Sequence, residues 1–332
     1  MPIEIVPFRQ EHLAPAAELV AGRYRAERQR VGALPARYED PAVIGPMLER
    51  LRQAEAGVAA LRAGRLAGFL VARLLPAFRG KRSTYAPEWA HAATGDDRRR
   101  IYRDLYGQLS ARWVANGCLT HVITLLAGDR EVIDAWFWSD FGLMAVDAVR
   151  GLGPVETSAA PAEIRRARPD DADAVVALGR QLQRHMAAAP TFLPAAERRQ
   201  PEQVEKQLAD PARPTWLALR GGKAVAQLGL GPASTSAAHV IRDEKTASIT
   251  GAFTRPDVRG QGIATALLDH ALRWARQAGC ECCAVDFEPQ NPPAARFWLR
   301  HFQPVCYSLA RHVDSAGDGQ DPGGGDEAKA HG

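Results

Sequence analysis

An internal repeat with a period of about 160 residues most restricts the fold, since it makes the chain build one plan twice. Ile3-Glu4-Ile5 leads through Pro7 to His12 as Ile164-Arg165-Arg166 leads through Pro169 to Asp173, each a strand running into a capped helix. Val58–Leu61 and Leu66–Val71 flank Arg62-Ala63-Gly64-Arg65, while Trp216–Leu219 and Ala224–Leu228 flank Arg220-Gly221-Gly222-Lys223, two hairpin signals at matching places. Trp113 to Cys118 aligns with Trp274 to Cys280, and the aromatic run Ala135–Phe141 with the helix that ends at Phe302. Alternation of strand and helix patterns in both halves predicts an α/β (α+β) chain.

The halves differ at one place that carries chemistry. In the second, Ala252-Phe253-Thr254 reads as a strand, Arg255-Pro256-Asp257 as a turn, and Arg259-Gly260-Gln261-Gly262-Ile263-Ala264-Thr265 as the entry to a helix. Ala264, Leu267, Leu268, Ala271, Ala275 and Ala278 form one stripe of that helix. Glycines let a backbone approach a ligand, and the first turn of a helix leaves amides unpaired and facing an anion. An ordinary strand-to-helix turn, a dinucleotide fingerprint and an acyl-CoA loop all deserve weight here. The dinucleotide pattern lacks its third glycine, since Thr265 stands there, and the Gly-Lys-Ser/Thr ending of a triphosphate loop is also missing. The equivalent stretch of the first half, Asp97-Arg98-Arg99-Arg100-Ile101-Tyr102, has no glycine, so it is not built for close backbone approach. Its arginines read as a solvated helix face, with a side-chain phosphate grip as the functional alternative.

The R-x-x-G-x-A pattern, followed by the buried strand Cys282–Phe287 and by Asn291-Pro292-Pro293-Ala294-Ala295-Arg296-Phe297-Trp298, resembles the GNAT superfamily of acyl-CoA-dependent N-acetyltransferases. The resemblance covers roughly residues 163 to 313 and implies two tandem GNAT-like domains, each a mixed, mostly antiparallel twisted sheet flanked by helices. Expected boundaries are a degenerate domain over 1–150 without a phosphate loop, a linker over 151–162, an acetyl-CoA-binding domain over 163–314 and a disordered tail over 315–332.

For function, the resemblance implies direct transfer of an acetyl group from acetyl-CoA to an amine, with a backbone amide at Phe253 or Thr254 facing the thioester carbonyl. Arg259, Gly260, Gln261, Gly262, Ile263, Ala264, Thr265, Asn291 and Phe297 would hold the cofactor; Asn291 is also a good helix cap, with Pro292 suited to the first helical position. Many relatives carry tyrosine where Trp298 stands, and indole cannot act as the acid. Glu288 and Asp286 are the candidate proton acceptors and Tyr307 the candidate acid, although Asp286 and Glu288 equally suit a solvated strand end. Two packed domains favour a small-molecule acceptor over a protein amine. A noncatalytic acyl-CoA sensor or interaction module is the alternative. Each half is short of a closing strand, so a strand from the other half, or from a partner chain, is expected to complete each sheet.

Composition limits what else the chain can be. With 332 residues, 46% hydrophobic and 24% charged, it reads as two ordinary globular domains, and its start and lack of long apolar runs predict a cytoplasmic chain without a membrane partner. A net charge of +4, with no aromatic-interleaved basic stripe, argues against nucleic acid. Cys280, Cys282 and Cys283 lack a second ligand pair at zinc spacing, so they read as small core residues, with no metal expected. A monomer or homodimer fits equally well. The stretch from Pro76 to Gly95, with Tyr85, Trp89 and His91, reads as a long connection whose aromatics pack it down or serve a function.

Overall fold

The structure, a computed structural model, describes residues 2–157, 161–194, 199–233 and 238–314. The predicted tail and part of the predicted linker therefore lie outside the described residues. The first half runs β1 (Ile3–Pro7), α1 (Leu13–Arg30), α2 (Pro41–Ala54), β2 (Gly57–Arg62), β3 (Arg65–Val71), β4 (Arg73–Phe78), β5 (Lys81–Ala86), β6 (His91–Ala93), α3 (Arg98–Ala115), β7 (Thr120–Leu126), α4 (Arg130–Phe137) and β8 (Gly142–Gly151). The second runs β9 (Glu163–Arg166), α5 (Ala172–Ala187), α6 (Pro201–Ala209), β10 (Thr215–Arg220), β11 (Lys223–Pro232), β12 (Thr246–Thr254), α7 (Ile263–Gln277), β13 (Cys282–Phe287), α8 (Pro292–His301) and β14 (Gln303–His312). The two halves follow one order of strands and helices, except that the first has three strands, β4, β5 and β6, where the second has β12 alone. Pairing is antiparallel except at β5–β7 and β12–β13.

The sheets are not self-contained. β14 lies between β7 and β8, and β8 in turn pairs with β13 of the second half, giving the order β4-β5-β7-β14-β8-β13-β12-β11-β10-β9. Each half thus lends its last strand to the other, and the expected missing strand is supplied from within the chain. The exchange is held on both sides of β14, from Cys306 opposite Leu126 to His312 opposite Thr120, and from Gln303 opposite Val149 to Ala310 opposite Gly142. A strand paired along both edges leaves no row of free amides, which removes the edge each half would otherwise expose.

Residues 238–242, between β11 and β12, reinforce this joint by packing into the first half. Ala238, Val240 and Ile241 are buried with α1, α2, Phe8 and Phe69. Glu88 accepts from the Val240 amide at 2.7 Å, Asp147 from the Ala238 amide at 2.9 Å, and the Tyr38 hydroxyl donates to the Arg242 carbonyl at 2.7 Å. These side chains satisfy backbone groups that would otherwise be stranded in the core.

The stretch from Pro76 to Gly95 corrects the expectation of a long connection. It holds most of the β4–β5 hairpin, turning at Arg79-Gly80 with positive φ at both, and then β6. His91 is fully buried between the Tyr102 hydroxyl and the Thr124 carbonyl, and the Tyr85 hydroxyl meets Thr124 Oγ1 at 3.2 Å. The aromatics of this stretch therefore pack it down.

Candidate active site

The cleft of the second half arises where β12 leaves β13. These parallel strands pair only from Thr246–Ser248 to Cys282–Ala284. Just beyond, the β11–β12 register shifts at Gly229/Leu230, leaving Thr250 as the extra residue of a bulge. A Cβ at Gly229 would come within 2.8 Å of Thr250 Oγ1, so any larger residue there would displace the Thr250 side chain. A bulge bends its strand, so β12 stays with β11 while β13 diverges.

Residues of β11, β12, α5, α7 and α8, with the turns leading into the last two, line a cleft of about 740 Å³. At one end Gly260 and Gly262 take φ of 75° and 79°, a left-handed conformation costly for other residues. No side chain caps α7, and its first hydrogen bond runs from the Ala266 amide to the Gly262 carbonyl. The amides of Ile263, Ala264 and Thr265 thus precede the helical ladder, at the positive end of the helix dipole. Arg259 is pinned by its Nε donating to the Thr254 carbonyl at 3.0 Å, with Arg296 and Arg300 also on the lining. This end suits a phosphate-bearing group on chemical grounds: glycine backbone and unpaired helix amides meet there beside Arg259.

The middle of the cleft suits an amide-bearing arm. Gln227 lines it with a buried Oε1 that has no hydrogen-bond partner among the described residues. Along β12, the Arg255 amide donates to the Val225 carbonyl, so by alternation the amides of Phe253 and Gly251 also face β11. Those of Thr254 and Ala252 face the gap. Between the two predicted oxyanion donors, the register therefore favours Thr254.

Of the predicted cofactor residues, Phe253, Thr254, Arg259, Gly260, Gly262, Ile263, Ala264, Thr265, Asn291 and Phe297 all line this cleft. Gln261 does not, and instead accepts from Arg220 on the exposed side of the loop. Asn291 departs from its expected capping role, for its side chain makes no cap bond to α8. Its Nδ2 donates to Met186 Sδ at 3.2 Å, and its Oδ1 faces His185 Nε2 at 3.2 Å. Trp298 is buried on the lining, its ring edge-on to Phe297 and Phe302.

The predicted acid and bases stand outside the lining. Tyr307 lies in β14, within the exchanged part of the sheet. Asp286 sits on β13 directly opposite Asp147 of β8. Asp286 keeps contact with solvent, yet protein crowds its carboxyl and leaves it poorly hydrated, which raises its pKa. Glu288 is raised by burial too. Asp147, more deeply buried, is pushed up to about 8, by burial first and then by Asp286 and Glu88 nearby. Sequence reasoning passed over Asp147 and His185: each is a lone polar residue in an otherwise regular strand or helix, and only the fold shows what faces it.

Residues 182–302 match the model of the acetyltransferase (GNAT) family. Those residues are a GNAT domain. A GCN5-related N-acetyltransferase from Sphaerobacter thermophilus shares the fold, at 15% identity and TM-score 0.56, over 93% of this chain and 95% of its own. A tandem GNAT protein from the clavulanic acid biosynthesis pathway aligns over 94% of this chain and 98% of its own, at 13% identity and TM-score 0.46. No curated protein matches the sequence. No helix among the described residues is long and apolar enough to cross a membrane.

Proposed function

We propose that the protein is an N-acetyltransferase in which the second half, residues 163–314, takes acetyl-CoA and passes its acetyl group directly to an amine. The first half, residues 1–150, braces it, with residues 151–162 as the linker. The observation that carries this reading is one continuous cleft joining the Gly260–Thr265 cradle to the parted edge of β12. Pyrophosphate at the cradle would lay the pantetheine arm along β12 beside Gln227, bringing the thioester carbonyl to the Thr254 amide. A preset donor at the developing oxyanion, together with fixed reactants, supplies catalysis by positioning and electrostatics.

The acceptor we favour is a small molecule, because two packed domains make a crevice at their joint. The test is release of CoA thiol from acetyl-CoA with a panel of amines, alongside calorimetric binding of CoA. Turnover with an amine supports the reading. Saturable CoA binding without thiol release from any amine overturns it in favour of an acyl-CoA sensor.

A further inference from the structure

We infer that His185 is the proton acceptor of the transfer, taking the proton from the attacking amine on its Nδ1. This rests on the acetyltransferase reading above and assigns that site its missing base. Among the described residues, His185 is a cleft-lining side chain from the last turn of α5, and it meets Asn291 across the cleft. The tautomer follows from the partners. Asn291 Nδ2 is committed as donor to Met186 Sδ, so Oδ1 is the group turned to the ring. A carbonyl oxygen only accepts, so the nitrogen facing it, Nε2, carries the hydrogen and Nδ1 carries the lone pair.

Asn291 thereby orients the ring with its basic edge away from the asparagine, the role a carboxylate or carbonyl plays for many histidine bases. Buried Asn291 is itself held from its other side by Met186, so the orientation is set before any substrate arrives. The site also suits the charge that develops. A ring taking a proton at the C-terminal end of a helix meets the negative end of the dipole. Asp286, Glu288 and Tyr307 are not on the lining, and the other titratable groups on it stand in poorer places: the His301 ring packs against Phe297, where burial and the Arg150 and Arg300 guanidiniums disfavour its imidazolium, and Glu156 is exposed.

The step balances without a further reactant. The amine nitrogen attacks the thioester carbon, its proton moves to Nδ1, the N–C bond forms and the C–S bond breaks. The imidazolium then gives its proton to water, and the CoA sulfur takes one from water, leaving amide, thiol and neutral ring.

The experiment compares His185→Gln and His185→Ala in the full chain, by thiol release with the best amine and by CoA binding. Glutamine keeps a donor that can reach Asn291 and lacks the base. Both variants are expected to lose about 10²–10³-fold in kcat with CoA affinity within about three-fold of wild type. Recovery of kcat in His185→Gln to within about three-fold overturns the inference and leaves His185 a positioning residue. Loss of CoA binding in His185→Gln also overturns it, making the ring a cofactor contact. A wild-type chain that binds acetyl-CoA and releases no thiol removes the acetyltransferase reading, and this one with it; an active wild type with an active His185→Gln removes only this one.

Discussion

The two halves share a plan, and their clefts have opposite fates. Counting from the caps of the matching helices, Asp129 stands where Asn291 does, Trp136 where Trp298 does, and Arg23 where Leu182 does. In the second half that constellation lines an open cavity. In the first, Arg23 Nε reaches Asp129 at 3.4 Å and Arg98, at the start of α3, meets the same carboxylate at 3.2 Å while also binding Glu131. Its own ion pairs thus tie the first half shut at the place that corresponds to the second half's helix entry. The rest of the arginine run is also engaged: Arg99 lies over the Trp138 ring at 4.9 Å, and Arg100 pairs with Asp104 at 3.5 Å. A phosphate grip by these residues is therefore disfavoured, and the solvated-face reading applies only in part. A duplicated fold keeps its scaffold through burial, whereas a ligand cradle is lost once its glycines go.

The largest expected effect breaks the comparison at its base. A chain ending at Phe302 lacks β14, which pairs along both edges with β7 and β8. Such a chain should show no cooperative unfolding transition in urea, in contrast to the full chain. A cooperative transition of undiminished midpoint would mean that the halves stand independently.

Gly262→Glu comes next, because it puts a charged side chain at a φ of 79° beside the expected pyrophosphate. CoA affinity by calorimetry should fall at least about 100-fold, or about 3 kcal/mol, with the circular dichroism spectrum retained. Unchanged affinity would refute the cradle.

Asp129→Ala probes the closed cleft. It leaves Arg23 and Arg98, 11% and 26% exposed, without their shared carboxylate. The cost in stability should be about 2 kcal/mol, less than for a fully buried pair because water still reaches these groups. CoA should bind with unchanged affinity and one site per chain. A second CoA site appearing in this variant would show the first half to be only latently closed.

The smallest effect concerns the joint between the halves. Folded Asp147 holds its proton up to about pH 8, whereas in the unfolded chain a carboxyl releases it near pH 4. Its contribution to stability is therefore full below about pH 4 and falls as pH rises to about 8. Asp147→Asn keeps an oxygen for the Ala238 amide and cannot ionise, so its urea midpoint should vary less between pH 5 and 9 and exceed wild type at pH 8.5. Parallel pH profiles of the two proteins would sink this.

Much of this arrangement is legible in the chain. The hairpins at Arg62–Arg65 and Arg220–Lys223, the β12–α7 turn and the helix opening at Asn291 follow from turn glycines, apolar periodicity and a proline at the first helical position. These are local signals, decided by steric preference within a few residues. The β4–β5 hairpin was missed because its turn is Arg79-Gly80 and its strands carry exposed arginine and lysine, which blurs the alternation.

The amino-acid sequence by itself determined the duplicated plan, the glycine cradle in one copy and its absence from the other, because φ preference and side-chain periodicity are properties of short segments. Only the tertiary structure decided that β8 and β14 change places, that Asn291 turns to His185 instead of capping α8, and that Arg23 and Arg98 share Asp129. Those outcomes depend on which distant groups burial brings together, and on where each polar group finds a partner once water is excluded.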